Sequence, residues 1–174
     1  AEKGAKVFLI TGPTQQTIEH SNVIRYDVKN AAQMYDKTVE CFEDCDIAIL
    51  SAAVADYTPK STFDTKLKKK TDNLVVELVP TKDILAELGR RKKENQILVG
   101  FALETDNEFE NAKAKLEKKN LDFIVLNSLN DKGAGFNVST NKVTILDAKG
   151  NVYNSDLKSK YEVALDISEK ILGL

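Results

Sequence analysis

The feature that most limits what this chain can become is a short apolar run, Ile47–Leu50, set between stretches of helical periodicity. A strand that is apolar at every position is buried on both faces, the pattern of a central strand in a parallel sheet covered by helices. The run follows Asp46 and gives way at once to Ser51-Ala52-Ala53-Val54-Ala55 and Asp56, and the segment closes on Lys66, Lys68, Lys69 and Lys70. Open α/β sheets bind ligands beyond the carboxyl ends of their strands. Small residues there let backbone approach a ligand, and an acid with several lysines suits a phosphorylated ligand and its metal. A lysine run is equally the mark of a solvated loop, and an alanine-rich strand end can be plain helix packing. The residues by themselves leave both readings open.

The same alternation recurs along the chain. Ala1–Gly4 reads as the last turn of a helix, with Gly4 as its left-handed terminator. Ala5–Thr11 reads as a buried strand closed by Gly12-Pro13, and Val23–Val28 as a short strand. Asn30 is placed to cap a helix through Phe42, with Ala31, Met34, Tyr35, Thr38 and Phe42 on one face. Leu74–Val79 is a second β-rich run. Thr81 or Lys82 then opens a helix from Asp83 to Arg91, whose first N–H groups can attract an anion. Ile97–Ala102 predicts another central strand, and Asn107 opens a helix to Lys119 with Phe109, Ala112 and Leu116 as its buried stripe. Lys115 and Lys119, four apart, border that stripe. Leu121–Asn127 is a further buried strand, ending in the polar Asn127 at the sheet edge. After the glycine- and asparagine-rich loop Asp131–Asn141, Val143–Asp147 and Val152-Tyr153 predict a β-hairpin. Val163, Ala164, Ile167, Ile171 and Leu174 form one face of a last helix. The expectation is one α/β domain over residues 1–174: a Rossmann-like, mainly parallel sheet flanked by helices, with a C-terminal β-hairpin.

Composition narrows the function classes. The 174 residues are 42% apolar and 30% charged with a net charge of −2, which argues against nucleic acid and anionic membrane as partners. No apolar run reaches the length of a membrane span. Cys41 and Cys45 lie four apart and form neither a CxxC pair nor a disulfide framework, so they read as reduced thiols of a cytoplasmic protein. His20 is the sole histidine and lies in a polar loop, which leaves no histidine-based triad. Gly12-Pro13-Thr14 is followed by neither GxGxxG nor a P-loop lysine and reads as a turn.

Several stretches together resemble a known family. SAAVADY at Ser51–Tyr57, KLKK at Lys66–Lys69, LVPTKDIL at Leu78–Leu85, VGFALET at Val99–Thr105, KKNLDFIVLN at Lys118–Asn127 and GFN at Gly135–Asn137 are similar, in order, to motifs of the phosphopantothenoylcysteine synthetases. These are the phosphopantothenate–cysteine ligases of coenzyme A biosynthesis, often the C-terminal half of a bifunctional bacterial protein. The resemblance implies a two-step ligation. The carboxylate of 4′-phosphopantothenate attacks the α-phosphate of CTP with Mg2+, releasing pyrophosphate, and cysteine's amine then displaces CMP from the acyl cytidylate. Carboxylate and triphosphate repel each other, so such a site needs gathered cations.

By position, the resemblance implies nucleotide-binding roles for Ala52, Ala53, Asp56 and Lys66, with Lys66 stabilising the α-phosphate transition state. It implies the same for Thr81, Lys82, Asp83 and Ile84, where the family has an Asn-Pro-Asp-Ile type of helix start and this chain has Thr-Lys. Phe101 resembles the aromatic that contacts the base, Lys115 and Lys119 two further nucleotide lysines, and Asn127 stands at the substrate edge. No metal ligands are assigned. A homodimer is implied, with the hairpin Val143–Tyr153 a place for subunit contact, as is fusion to or association with a flavin-dependent decarboxylase.

The chain also departs from the family pattern. Family members carry an early strand and an NxSSGKMG-type segment, and AEKGAKVFLITGP resembles their second strand instead. The expectation is therefore that these residues alone bind nucleotide weakly and do not complete the ligation. The alternatives are a non-catalytic nucleotide- or flavin-binding module on the same plan, or a purely structural partner domain.

Overall fold

The computed structural model describes residues 1–63, 65–66, 68, 74–104, 106–128 and 138–173. They fall into two compact units, residues 1–41 with 52–84, and residues 42–51 with 85–174.

In the first unit β1 (Val7–Thr11) pairs in parallel with β2 (Val23–Asp27), Val7 opposite Val23. Gly4, at φ 90°, closes a turn through its N–H to the Ala1 carbonyl. The helix α1 (Ala31–Phe42) starts where the sequence places it. Asn30 Oδ1 accepts from the Gln33 N–H at 2.9 Å and Gln33 Oε1 from the Lys29 N–H at 2.8 Å, satisfying two donors at the helix start. Further on, β4 (Tyr57–Pro59) and β5 (Leu78–Pro80) form an antiparallel pair. The β-rich run before β5 is otherwise not strand. Leu74, Val75 and Val76 have no ladder partner, and Val75 is 91% exposed.

The second unit is built on a five-stranded sheet in the order β10-β9-β7-β6-β3. Its parallel part is β3 (Ile47–Leu50), β6 (Ile97–Glu104) and β7 (Phe123–Ser128). The hairpin of β9 (Val143–Asp147) and β10 (Val152–Asn154) continues it antiparallel from β7. The expected hairpin is thus present. The expected central strand at Ile47–Leu50 instead stands last in this sheet among the described residues, paired there with β6, and Ile49 is 49% exposed. Its apolar run still reports a parallel strand, but run composition does not say how many neighbours pair with it.

One face of the sheet, with Val99, Phe123, Val125, Val143 and Ile145, packs against Val163, Ile167 and Ile171 of α4 (Lys160–Leu172). Each such buried side chain contributes about 1.5–3 kcal/mol. On the other face Gly100 leaves no room for a side chain, since a Cβ would come 2.9 Å from both Leu85 and Leu121. There α2 (Ile84–Arg91) and α3 (Glu108–Lys118) supply Leu88, Ala112 and Leu116 to the core. Phe109 departs from its expected buried stripe and is 42% exposed. Helical phase assigns it to the apolar face, but it stands in the first turn of α3, where phase alone does not provide a surface to pack on. A last small pair, β8 (Thr140–Asn141) with β11 (Lys158–Ser159), leads into α4. Ser159 and Glu162 close that helix start with a reciprocal capping box.

Candidate functional site

The residues singled out from the sequence fall in both units, and each group is described within its own. In the first unit, Ala52 and Ala53 begin the exposed small-residue turn, in which the Val54 N–H donates to the Ala52 carbonyl at 3.1 Å. Thr81 fastens the end of this turn. Its N–H donates to the Asp56 carbonyl at 2.8 Å and its Oγ1 to the Ala55 carbonyl at 2.7 Å. The structure therefore brings Thr81, Ala55 and Asp56 together across 26 residues of sequence and leaves the Asp56 side chain exposed.

Lys82 is exposed, but its ammonium sits 4.5 Å from the centre of the Tyr35 ring and 3.9 Å from Asp36 Oδ1. A cation over an aromatic face beside a carboxylate is held by both. Asp83 has an interaction of its own, and Ile84, at the start of α2, is buried. Lys66 and Lys68 are exposed. Lys69, Lys70, Thr105 and the GFN loop lie outside the described residues.

In the second unit the sheet and α3 bring Phe101 and Lys115 together. Lys115 Nζ donates to the Phe101 carbonyl at 3.0 Å. Phe101 lies in the carboxyl half of β6 and packs against the core, so its ring is half buried. An ammonium has three donors, and this bond uses one, leaving the charge and two donors for an anion. Lys119 ends α3, with its N–H on the Lys115 carbonyl at 3.0 Å, and is half buried. Its backbone faces α2 closely: a Cβ on Gly89 would overlap the Lys119 carbonyl oxygen. Asn120, at φ 52°, completes this approach by donating Nδ2 to the Gly89 carbonyl at 2.9 Å.

Asn127 closes the group at the carboxyl end of β7. Its Oδ1 accepts from Asn141 Nδ2 at 2.9 Å. No sequence pattern singles out Asn141, which is there only one more asparagine at the end of a polar loop. His20 stays in its loop, its Nδ1 accepting from the Asn22 N–H at 3.0 Å.

Among the described residues no group of three or more histidine, cysteine, aspartate or glutamate side chains could hold a metal ion, and no helix is long and apolar enough to cross a membrane. Mg2+ that is held largely by substrate phosphate oxygens and water, with one or two carboxylates, does not require a protein cage.

Comparison with known proteins agrees with the resemblance. The model of the DNA/pantothenate metabolism flavoprotein C-terminal domain matches residues 1–174. The chain is 53% identical over 174 residues to a cysteine/cysteine sulfinic acid decarboxylase of an unknown prokaryotic organism, covering all of the chain and 48% of that protein. It is 43% identical over 171 residues to the coenzyme A biosynthesis bifunctional protein CoaBC of Bacillus subtilis (strain 168), covering 98% of the chain and 42% of that protein. The chain thus spans about half the length of these curated relatives. In structure it is similar to the crystallised C-terminal domain of a CoaBC protein, with a TM-score of 0.80 and 35% identity over 98% of this chain and 74% of that one. A Cab2 mutant in complex with phosphopantothenate-cysteine shares the fold, with a TM-score of 0.57 and 18% identity over 78% of this chain and 47% of that one.

Proposed function

This chain belongs to the DNA/pantothenate metabolism flavoprotein C-terminal domain family, and on that premise we propose that it is the nucleotide-binding part of a CTP-dependent ligase joining 4′-phosphopantothenate to cysteine in coenzyme A biosynthesis. The observation that carries the reading is Lys115 Nζ on the Phe101 carbonyl at 3.0 Å, a fixed cation at the carboxyl half of a parallel strand. That is where α/β sheets bind their ligands.

In the proposed reaction a carboxylate oxygen of 4′-phosphopantothenate bonds to the α-phosphorus of CTP as the bond to the bridging oxygen breaks, and pyrophosphate leaves. The amine of cysteine then attacks the acyl carbon, CMP departs with the mixed-anhydride electrons, and the amine loses a proton as the amide forms. Both steps place negative charge on phosphate oxygens, so the protein's task is to gather cations and hold geometry. Lys66, exposed and close in sequence to Asp56, is assigned to the α-phosphate, and Lys115 to the triphosphate or base-side sugar. The turn held by Thr81 offers backbone close to the nucleotide. Mg2+ would arrive with the nucleotide and neutralise its phosphate charge, with Asp56 as its one carboxylate. The same reading includes a homodimer, cytoplasmic location and a flavin-dependent decarboxylase as fused or associated partner.

Calorimetric titration of this chain with CTP and with ATP, each with Mg2+, on the wild type and Lys66→Ala tests the reading. Weak CTP binding that exceeds ATP binding and falls in the variant supports it. Binding of FMN in place of either nucleotide, or of neither nucleotide, overturns it.

A further inference from the structure

The carboxyl end of β7 carries an arrangement that the proposed reaction leaves unused. Asn127 stands opposite Val143 in register, and Asn141 lies on β8, just before β9 begins. Asn141 Nδ2 donates to Asn127 Oδ1 at 2.9 Å. A side-chain amide carries its acceptor at one end and its donors at the other, so this bond sorts the two ends of Asn127. The oxygen is engaged, and among the described residues nothing accepts from its Nδ2. The backbone beneath Asn141 is held by pairing with Lys158 of β11, which runs into the capped start of α4.

The pair keeps a further asymmetry. Asn141 Oδ1 is buried and has no hydrogen-bond partner among the described residues. A buried acceptor without a donor costs free energy, and native chains keep few of them. An apolar residue would avoid that cost but could not donate to Asn127. What asparagine adds at this position is the donor.

We propose that Asn141 is a positioning residue, orienting the Asn127 amide so that Nδ2 donates to a phosphate oxygen of a substrate at the carboxyl edge of the sheet. This deepens the function proposed above and rests on it. The triphosphate of CTP and the monophosphate of 4′-phosphopantothenate present the same chemistry, and the two ligands form separate arms of the test.

The experiment is calorimetric titration of this chain with CTP and Mg2+, and separately with 4′-phosphopantothenate, on the wild type, Asn127→Asp and Asn141→Asp, with a thermal midpoint for each protein. Asn127→Asp keeps an acceptor for Asn141 and should keep the wild-type midpoint, while losing the donor and weakening one ligand roughly tenfold or more. Asn141→Asp can bond Asn127 only by reversing its amide, and should weaken that same ligand about tenfold and leave the other unchanged. The ligand affected identifies the source of the phosphate.

Wild-type affinities in both variants would overturn the inference. So would a midpoint lost in Asn127→Asp and kept in Asn141→Asp, because that pattern means that Asn127 is the donor of the pair. Failure of the underlying reading is seen in the wild type, as binding of neither ligand, and it removes the inference as well.

Discussion

Lys115 Nζ lies 3.0 Å from the carbonyl oxygen of Phe101, 14 residues earlier in the chain, and ties the third turn of α3 to the carboxyl half of β6. The bond fixes a cation beside the strand end without neutralising it, because its partner is a neutral carbonyl. If that cation serves the nucleotide, Lys115→Met should weaken CTP binding by about tenfold or more, the range for a lost charged hydrogen bond. An unchanged dissociation constant in calorimetry would remove Lys115 from the site.

Gly89 predicts a cost at the junction of α2 and α3. It lies within α2, where glycine is a poor helix former, yet a Cβ there would overlap the Lys119 carbonyl oxygen. Gly89→Ala should therefore destabilise by about 3 kcal/mol instead of stabilising, because the obstacle is backbone that cannot rotate aside. A urea midpoint equal to or above that of the wild type would show that the two helices separate freely.

Gln96 makes the same kind of argument with hydrogen bonds. It is only 4% exposed, and its Nε2 donates to the Phe42 carbonyl at 2.8 Å and the Cys45 carbonyl at 2.7 Å. Those carbonyls stand at and just after the end of α1, where helices leave such groups unpaired. Its Oε1 meanwhile accepts from the Lys93 N–H at 3.0 Å. Gln96→Leu should cost about 2 kcal/mol in chemical denaturation, since it removes all three of these hydrogen bonds without opening a cavity, while the Phe42 carbonyl keeps the Cys45 N–H at 3.3 Å. A loss of a few tenths would mean that water replaces the amide.

Glu87 sets a response to acid. Hydrogen bonds first from Arg90 and then from Arg91 hold its carboxyl at about 2, against an ordinary value of 4.5. Between those values the unfolded chain binds the proton that the folded chain refuses, so folding stability from this group rises with pH. The contribution is complete above about pH 4.5 and is lost as pH falls through about 2. Denaturation of the wild type and Glu87→Gln across that range should show their difference shrinking as pH falls. A difference that stays constant from pH 7 to pH 2 would contradict it.

Among the described residues, the apolar runs and helical periodicities determined β1, β2, β6, β7, the β9–β10 hairpin and the four helices to within a few residues, because those patterns report burial on a local backbone period. The motif order likewise determined the family. What the sequence could not decide is who stands beside whom. Leu74–Val76 has strand composition but no strand, because a strand needs a partner edge and pairing is non-local. Ile47–Leu50 reads as central, yet among the described residues of its sheet it stands last, beside β6. The lysines show most plainly how the site depended on tertiary structure: sequence marked Lys82 and Lys115 alike, and the fold holds one at Tyr35 and Asp36 and the other at the Phe101 carbonyl. Asn141 had no signal at all, since a side-chain amide acquires its role only when another chain segment presents Asn127 to it. Local pattern specifies which face of an element is buried, and only the packed chain specifies which polar atoms meet.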